Sequence, residues 1–317
     1  MRITNRMMAD NAIQNMTDNL EKVSKMQGKI ASTKQFQSPS EDPLRASTSL
    51  NLRSHLQTLE SYTDTAALSQ NWMTATDNAF DQMEQIAIRA NDLILNGLND
   101  TLSGSERAKA LGTEMQELVA QAVELGNTSV NGQYIFSGYQ VNQKAFTLTN
   151  GVPILDYAGN SFTPKVVTYV GDQGTMQRSL GPDQSVALNV RGDQAISKFL
   201  ETLIVASNAL TQNNIRNTGN LGTDPLTLES SLGELKTSID TLDQYRTSNG
   251  ARMRQVESAA SFLESVKIET KSLLSDNEDI NMAESITLLA NQQSTYEAVL
   301  EVSQRAISAL SLFDYLR

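Results

Sequence analysis

The sequence predicts a mainly α chain: an elongated antiparallel helical bundle or coiled coil made by N- and C-terminal helices, with a small β-rich insertion domain between them. Three observations predict it. Apolar residues recur in alternating three- and four-residue steps on both sides of the chain's middle, the pattern of a seam by which one helix packs on another. Aromatics make up only 5% of the 317 residues, which suits narrow seams filled by Leu, Ile, Met and Ala. Between Asn131 and Gly192 the texture changes, and turn dipeptides separate short β-branched and aromatic runs.

The first helix is read from Ile13, Met16, Leu20, Val23 and Ile30, a 3-then-4 ladder with polar Gln27 in the slot before Ile30. The stretch SPSEDP (38–43) interrupts it. Asp42 followed by Pro43 starts the next helix, because Asp caps free N–H groups and Pro suits the first turn. From Leu44 to about Gly97 no proline intervenes, while Leu52, Leu56, Leu59, Ala66, Met73, Phe80, Met83, Ile86, Ala90 and Leu93 recur. At about 1.5 Å per residue this gives a rod of roughly 80 Å. Ser103 and Glu106 have the spacing of a capping box, and Leu111, Met115, Leu118, Ala122 and Leu125 carry a third helix.

In the insertion, QYIFSGY, AFTL, VPILDY, KVVTYV and SVALNV read as strands. Ile196, Phe199, Leu203, Ala206 and Leu210 resume helical spacing, and NNIRNTGNLGTDP (213–225) reads as a loop ending in a second Asp-Pro start at Asp224. A long ladder then runs from Leu228 to Leu273, with Asn249-Gly250 a weak break. The acidic SDNEDIN (275–281) leads to the last ladder, Ile286, Leu289, Tyr296, Leu300, Ile307 and Leu310. The domain organisation so read is an N-terminal assembly helix (1–40), two stretches of helical rod (41–130 and 193–275) around the insertion (131–192), and a C-terminal assembly helix (276–317).

Composition excludes several function classes. Lys plus Arg is 25 against 36 Asp plus Glu, a net charge of −11, so nucleic acid is not an expected partner, since phosphate contact needs clustered positive charge. There is no cysteine, which removes disulfides and thiolate metal sites. No apolar stretch follows Arg2, so no ordinary secretory signal is expected. No run approaches the length of a membrane span, so no membrane insertion is expected. The single histidine, His55, precedes the seam residue Leu56 and reads as a surface side chain. Asp276, Glu278 and Asp279 lack the Gly and Glu positions of a calcium loop and read as a capping or solvated acidic turn. Gly171-Asp172-Gln173-Gly174 reads as a hairpin turn, because no P-loop lysine or dinucleotide fingerprint follows. Cofactor, metal and catalytic residues are therefore expected to be none. A ligand site in the insertion has only its tyrosines in its favour.

The two ends differ from an ordinary core. Methionines stand at 1, 7, 8, 16 and 26, in a segment with little nearby chain to pack against except the C-terminal ladder. Burying one Leu or Ile contributes roughly 1.5–3 kcal/mol, and ordering costs about 1–2 kcal/mol per residue. A short two-helix seam is marginal on those terms, whereas many copies packed together are not. The expected assembly interface is Met7, Ile13, Met16, Leu20, Val23 and Ile30 from one end, with Tyr296, Leu300, Ile307, Leu310 and Leu316 from the other.

Four blocks carry a resemblance that spans nearly the whole chain: MRITNRMM with SPSEDPLRAS at 38–47, ERAKALGTEMQELVAQAVELGNTSVNGQYIFSGY at 106–139, YVGDQGTMQRSLGPDQSVALNVRGDQAI at 169–196, and the closing DINMAESITLLANQQSTYEAVLEVSQRAISALSLFDYL. In that order and spacing the sequence resembles the bacterial flagellin-like family, in its hook–filament junction members. Filament flagellin is the alternative. Flagellins usually carry Asp-Asp-Ala-Ala-Gly where this chain has Glu41-Asp42-Pro43-Leu44, and they lack the Tyr-Ile-Phe-Ser-Gly segment. Lys34-Gln35 departs from the family's usual Gly-Lys, so the turn before 38 is expected to differ locally. The resemblance implies a structural, non-enzymatic subunit that leaves the cell unfolded through flagellar type III export. It implies self-association in a helical ring between hook-associated protein 1 and flagellin, in support of filament growth and swimming. It also implies an export chaperone that holds the C-terminal segment at Leu300, Ile307 and Leu310.

Overall fold

A computed structural model describes residues 5–99, 103–155, 161–212 and 227–315. The expected loop at 213–225, with its Asp-Pro start, and Leu316 lie outside the described residues. The chain divides into two compact units, residues 1–60 with 265–317, and residues 61–264.

Helices dominate, as the apolar spacing dictates. Helix α1 covers Asn5–Ser32 and α2 covers Pro43–Leu98, 56 residues without a break. Asp42 does cap α2: its Oδ1 accepts the Arg45 N–H at 3.0 Å. Short α3 (Gly104–Arg107) opens the next helix, a π-type turn follows at Ala108–Gly112, and α4 runs Thr113–Gly126. The apolar spacing gave no sign of the π turn. Helix α5 is Gly192–Ala195, α6 is Ser197–Thr211, α7 is Leu228–Glu278 and α8 is Met282–Tyr315. The Asn249-Gly250 break does not occur. Asn249 is fully buried inside α7, and its Nδ2 donates to the Met73 carbonyl of α2 at 2.9 Å.

Among its described residues the insertion holds eight short strands in four antiparallel pairs. Strand β1 (Ser129–Val130) pairs with β2 (Gln133–Tyr134) across the two-residue Asn131-Gly132 turn. Strand β3 (Phe146–Asn150) pairs with β6 (Lys165–Tyr169), enclosing the pair β4 (Ile154–Leu155) and β5 (Ser161–Phe162). Strands β7 (Gln177–Ser179) and β8 (Ser185–Ala187) make the last pair. Gly171–Gly174 is therefore not a hairpin turn, since it links β6 to β7, which do not pair with each other. Asp172 explains the shape: its Oδ1 accepts N–H groups from Tyr139 at 2.6 Å and Gly174 at 2.9 Å, and its own N–H donates to the Ser137 carbonyl. A carboxylate thus pins two loops together where the glycines had signalled a simple reversal.

The core of the second unit collects one face from each helix. Met73, Phe80, Met83, Ala87, Ala90, Leu93 and Ile94 of α2 meet Met115 and Ala122 of α4, Phe199, Leu203 and Leu210 of α6, and Leu235 and Val256 of α7. Phe136 and Phe146 carry the insertion into that core, and Phe136 tilts against Phe80 at 5.6 Å between ring centroids. Gly97 permits a close crossing here, because a Cβ on it would lie 2.6 Å from Leu210 Cδ2 and 2.8 Å from Leu228 Cδ2. On the solvent side Arg246 of α7 reaches three carboxylates of α2: Asp77 at 3.3 Å, Asp81 at 2.7 Å and Glu84 at 2.7 Å. These acids stand four and three residues apart, hence on one helix face.

Candidate assembly interface

The terminal unit contains α1 and α8, which pack along each other, with the first residues of α2 and the last of α7. Both helices meet one joint, where Lys34 and Asp279 form an antiparallel bridge. One helix enters this joint and the other leaves it, so the pair is antiparallel. The seam it buries differs from the ladder that hydrophobicity alone picks out. On α1 the covered positions are Ala12, Met16, Asn19, Val23, Met26 and Ile30, a 4-then-3 set. On α8 they include Ser285, Leu289, Gln292, Tyr296, Val299 and Ser303, again 4-then-3. Small or polar side chains occupy five of these twelve named slots: Ala12, Asn19, Ser285, Gln292 and Ser303. The apolar residues one place further on in α1, Ile13 and Leu20, are left outside, each 51% exposed. Period matching by apolar character placed Ile13 and Leu20 in the seam because nothing in the residue types announces Ala12 and Asn19 as core.

The residues expected at an assembly interface therefore fall into groups. Val23 is buried within the pair. Met16, Ile30, Tyr296 and Leu300 are half-buried. Met7, Ile13 and Leu20 are exposed, and so are Ile286, Leu288 and Val302, which the sequence reading had not put forward for an interface. Ile307 and Leu310 belong to α8. Leu316 lies outside the described residues. This helix pair thus buries a mixed seam, in which Met16, Val23, Met26, Ile30, Leu289, Tyr296 and Val299 alternate with small or polar residues, and it leaves the large aliphatics Ile13, Leu20, Ile286, Leu288 and Val302 exposed.

Of the acidic residues expected in a capping or solvated turn, Asp276 and Asp279 are exposed but Glu278 is not. Glu278 is only 5% exposed at its side chain. Arg53 of α2 grips it with two parallel bonds, Nε to Oε1 at 2.9 Å and Nη2 to Oε2 at 2.8 Å. Lys34 adds a third contact at 3.0 Å and bonds Asp279 at 2.7 Å. Backbone bonds lock the same place: Gln35 N–H to Glu278 O at 2.6 Å and Ile280 N–H to Thr33 O at 3.1 Å. Asn277 Nδ2 donates to the Arg45 carbonyl and to Ser49 Oγ. The Arg53 guanidinium, helped by Lys34 and opposed by burial, holds the Glu278 carboxyl below its ordinary range. Lys34, with Ser275, does the same for Asp279, and the Lys34 ammonium is raised in turn, by Asp279 first and Glu278 second. Thr33 ends α1 in the left-handed region at φ +57°, which is strained for a β-branched residue. Lys34, flagged as a local departure from the family pattern, is the residue that makes the bridge. Only its long-range partner makes it significant, and sequence spacing carries no trace of a contact 244 residues away.

Among the described residues no group of acids and histidines is arranged to hold a metal ion. No described helix is long and apolar enough to cross a membrane.

Residues 3–141 match the bacterial flagellin N-terminal helical region. Over 315 residues, 94% of this chain and 94% of the relative, the sequence is 24% identical to flagellar hook-associated protein 3 of Escherichia coli K12. The chain resembles hook-associated protein 3. Crystal structures of FlgL share its fold: that of Bacillus cereus at 24% identity, covering 71% of this chain and 99% of that one with a TM-score of 0.55, and that of Xanthomonas campestris at 18% identity, 71% and 99% coverage and a TM-score of 0.57. The hook-associated protein 3 likeness supports a structural role in the flagellum, and the mainly helical fold with small antiparallel strand pairs agrees with it.

Proposed function

We propose that this chain is a structural subunit of the bacterial flagellum that joins hook-associated protein 1 to the flagellin filament. It forms a helical ring by head-to-tail contacts between copies, a geometry that continues into a filament. Its lattice contacts come from the terminal segments through the expected residues that the helix pair does not bury, with Ile13 and Leu20 foremost. The observation that carries this reading is the set of large aliphatics that the α1–α8 pair leaves exposed, Ile13, Leu20, Ile286, Leu288 and Val302, over a seam diluted by serines and amides. Such a pair gains more from neighbours than from itself. Before assembly the subunit travels unfolded through the flagellar export channel, with a chaperone on the segment containing Leu300, Ile307 and Leu310. Its division of labour follows the ranges read from the sequence, with assembly helices at 1–40 and 276–317 and the insertion at 131–192.

The test is complementation of a strain that lacks the gene. The wild-type chain restores filaments and swimming. A chain carrying Ile13→Asp and Leu20→Asp leaves hooks without filaments and flagellin in the medium, although the purified variant melts like wild type. Full motility with that variant contradicts the proposal. A filament-subunit role is the alternative outcome, shown by long filaments growing from the purified chain on filament seeds.

A further inference from the structure

The dipeptide Asn-Gly occurs four times, at 96–97, 131–132, 150–151 and 249–250. It is the sequence most prone to spontaneous succinimide formation, because glycine leaves its own amide nitrogen unhindered. The four sites share that local chemistry, and the fold treats them differently. Gly97 lies within α2 and Gly250 within α7, where their N–H groups belong to helix ladders. Asn249 is also buried, with its carboxamide held by the Met73 carbonyl. At the third site the Gly151 N–H donates to Pro164 O at 2.7 Å, and Asn150 Oδ1 accepts from Lys165 Nζ at 2.8 Å. Both reacting groups there are occupied.

Asn131-Gly132 is the exception. Both residues are exposed at the tip of the β1–β2 hairpin, with φ of +52° and +79°. Neither the Asn131 carboxamide nor the Gly132 N–H makes a hydrogen bond among the described residues, and the space where a Gly132 Cβ would stand is open. The strands that hold the turn are two residues each, so the swing that brings nitrogen to carboxamide disturbs few bonds. The hairpin tip also borders a hollow of about 350 Å³, lined by Trp72, Asn131, Gln133 and Arg178 among others. Arg178 makes no ion pair among the described residues.

We propose that Asn131 is a self-modification site at which the folded protein converts this amide to an acid. The Gly132 nitrogen attacks Asn131 Cγ, the N–Cγ bond forms, the Cγ–Nδ2 bond breaks and ammonia leaves with the displaced amide proton. Water then opens the ring at either carbonyl, giving aspartate or isoaspartate. The new carboxylate arises beside a hollow that Arg178 also lines.

The test is peptide mapping by mass spectrometry of the purified full chain, aged at mildly alkaline pH and warm temperature, folded and in urea. In the folded protein the acid and isoacid products at 131 accumulate at least about tenfold faster than at 96, 150 or 249, a margin set by the hydrogen bonds those sites keep. In urea the four rates draw together. Equal rates at 131 and 150 in the folded chain overturn the proposal. So does a lead for 131 that persists unchanged in urea, because the fold would then not select the site.

Discussion

Take away the Glu278 carboxylate and two cations lose the partner around which the joint is built. Arg53 and Lys34 are themselves 60% and 40% exposed, so water recovers much of their loss, and Glu278→Ala should cost about 1–3 kcal/mol, below the figure for a wholly buried pair. Chemical denaturation of the variant against wild type measures it. The sign with pH follows from the depressed carboxyls. Pairing at Glu278 and Asp279 contributes fully above the unfolded carboxyl range and is lost as pH falls through the lower folded values. Melting curves of wild type and Glu278→Ala should therefore differ at neutral pH and converge well below pH ~4. A gap that persists in acid would mean that packing, not charge, holds the joint. Asn249 behaves differently. Its Oδ1 is buried with no partner, and its Nδ2 bonds a carbonyl within α2. Asn249→Leu removes the orphaned atom, so stability should hold or rise; a loss above ~2 kcal/mol would show that the amide is indispensable to packing. None of these roles was legible from residue type. Glu278 looked like any surface acid and Asn249-Gly250 like a helix break, because each is defined by a partner far along the chain.

Elements were far more legible than their registers. The uninterrupted apolar run and the Asp42-Pro43 start gave α2 nearly to the residue, and Asn131-Gly132 marked where the insertion begins; the β1–β2 hairpin across it was not legible, because its first strand, Ser129–Val130, is two residues long. What hydrophobicity could not supply was the facing of α1. Its seam uses Ala12 and Asn19, and Ile13 and Leu20 were chosen in their place because they are greasier. This difference has a direct consequence. Val23→Asp puts a charge into the α1–α8 seam and should reduce helicity of the free protein, whereas Leu20→Asp should leave the circular dichroism of the free protein unchanged and abolish assembly. If both variants lose helicity alike, Leu20 is part of the seam after all. Within the second unit, Gly97→Ala forces a methyl against Leu210 and Leu228 and should destabilise by ~1–3 kcal/mol, read from the same denaturation experiment.

At the scale of the whole molecule, the fold class followed from composition and periodicity because helices that pack on helices advertise themselves in both. The function did not follow from a pocket or a reactive side chain. The proposed assembly role rests on the terminal helix pair, whose seam is diluted by polar residues and which leaves Ile13, Leu20, Ile286, Leu288 and Val302 exposed. On the proposed reading, neighbouring copies cover those aliphatics, which makes the free and assembled states the comparison that matters. The natural chain contains no cysteine, so a single Leu20→Cys substitution gives a clean reporter. Its thiol-labelling rate should match an exposed model thiol in the isolated protein and fall by at least about tenfold in intact flagella, as burial demands. Equal labelling in both states, or protection already complete in the isolated chain, would contradict the account.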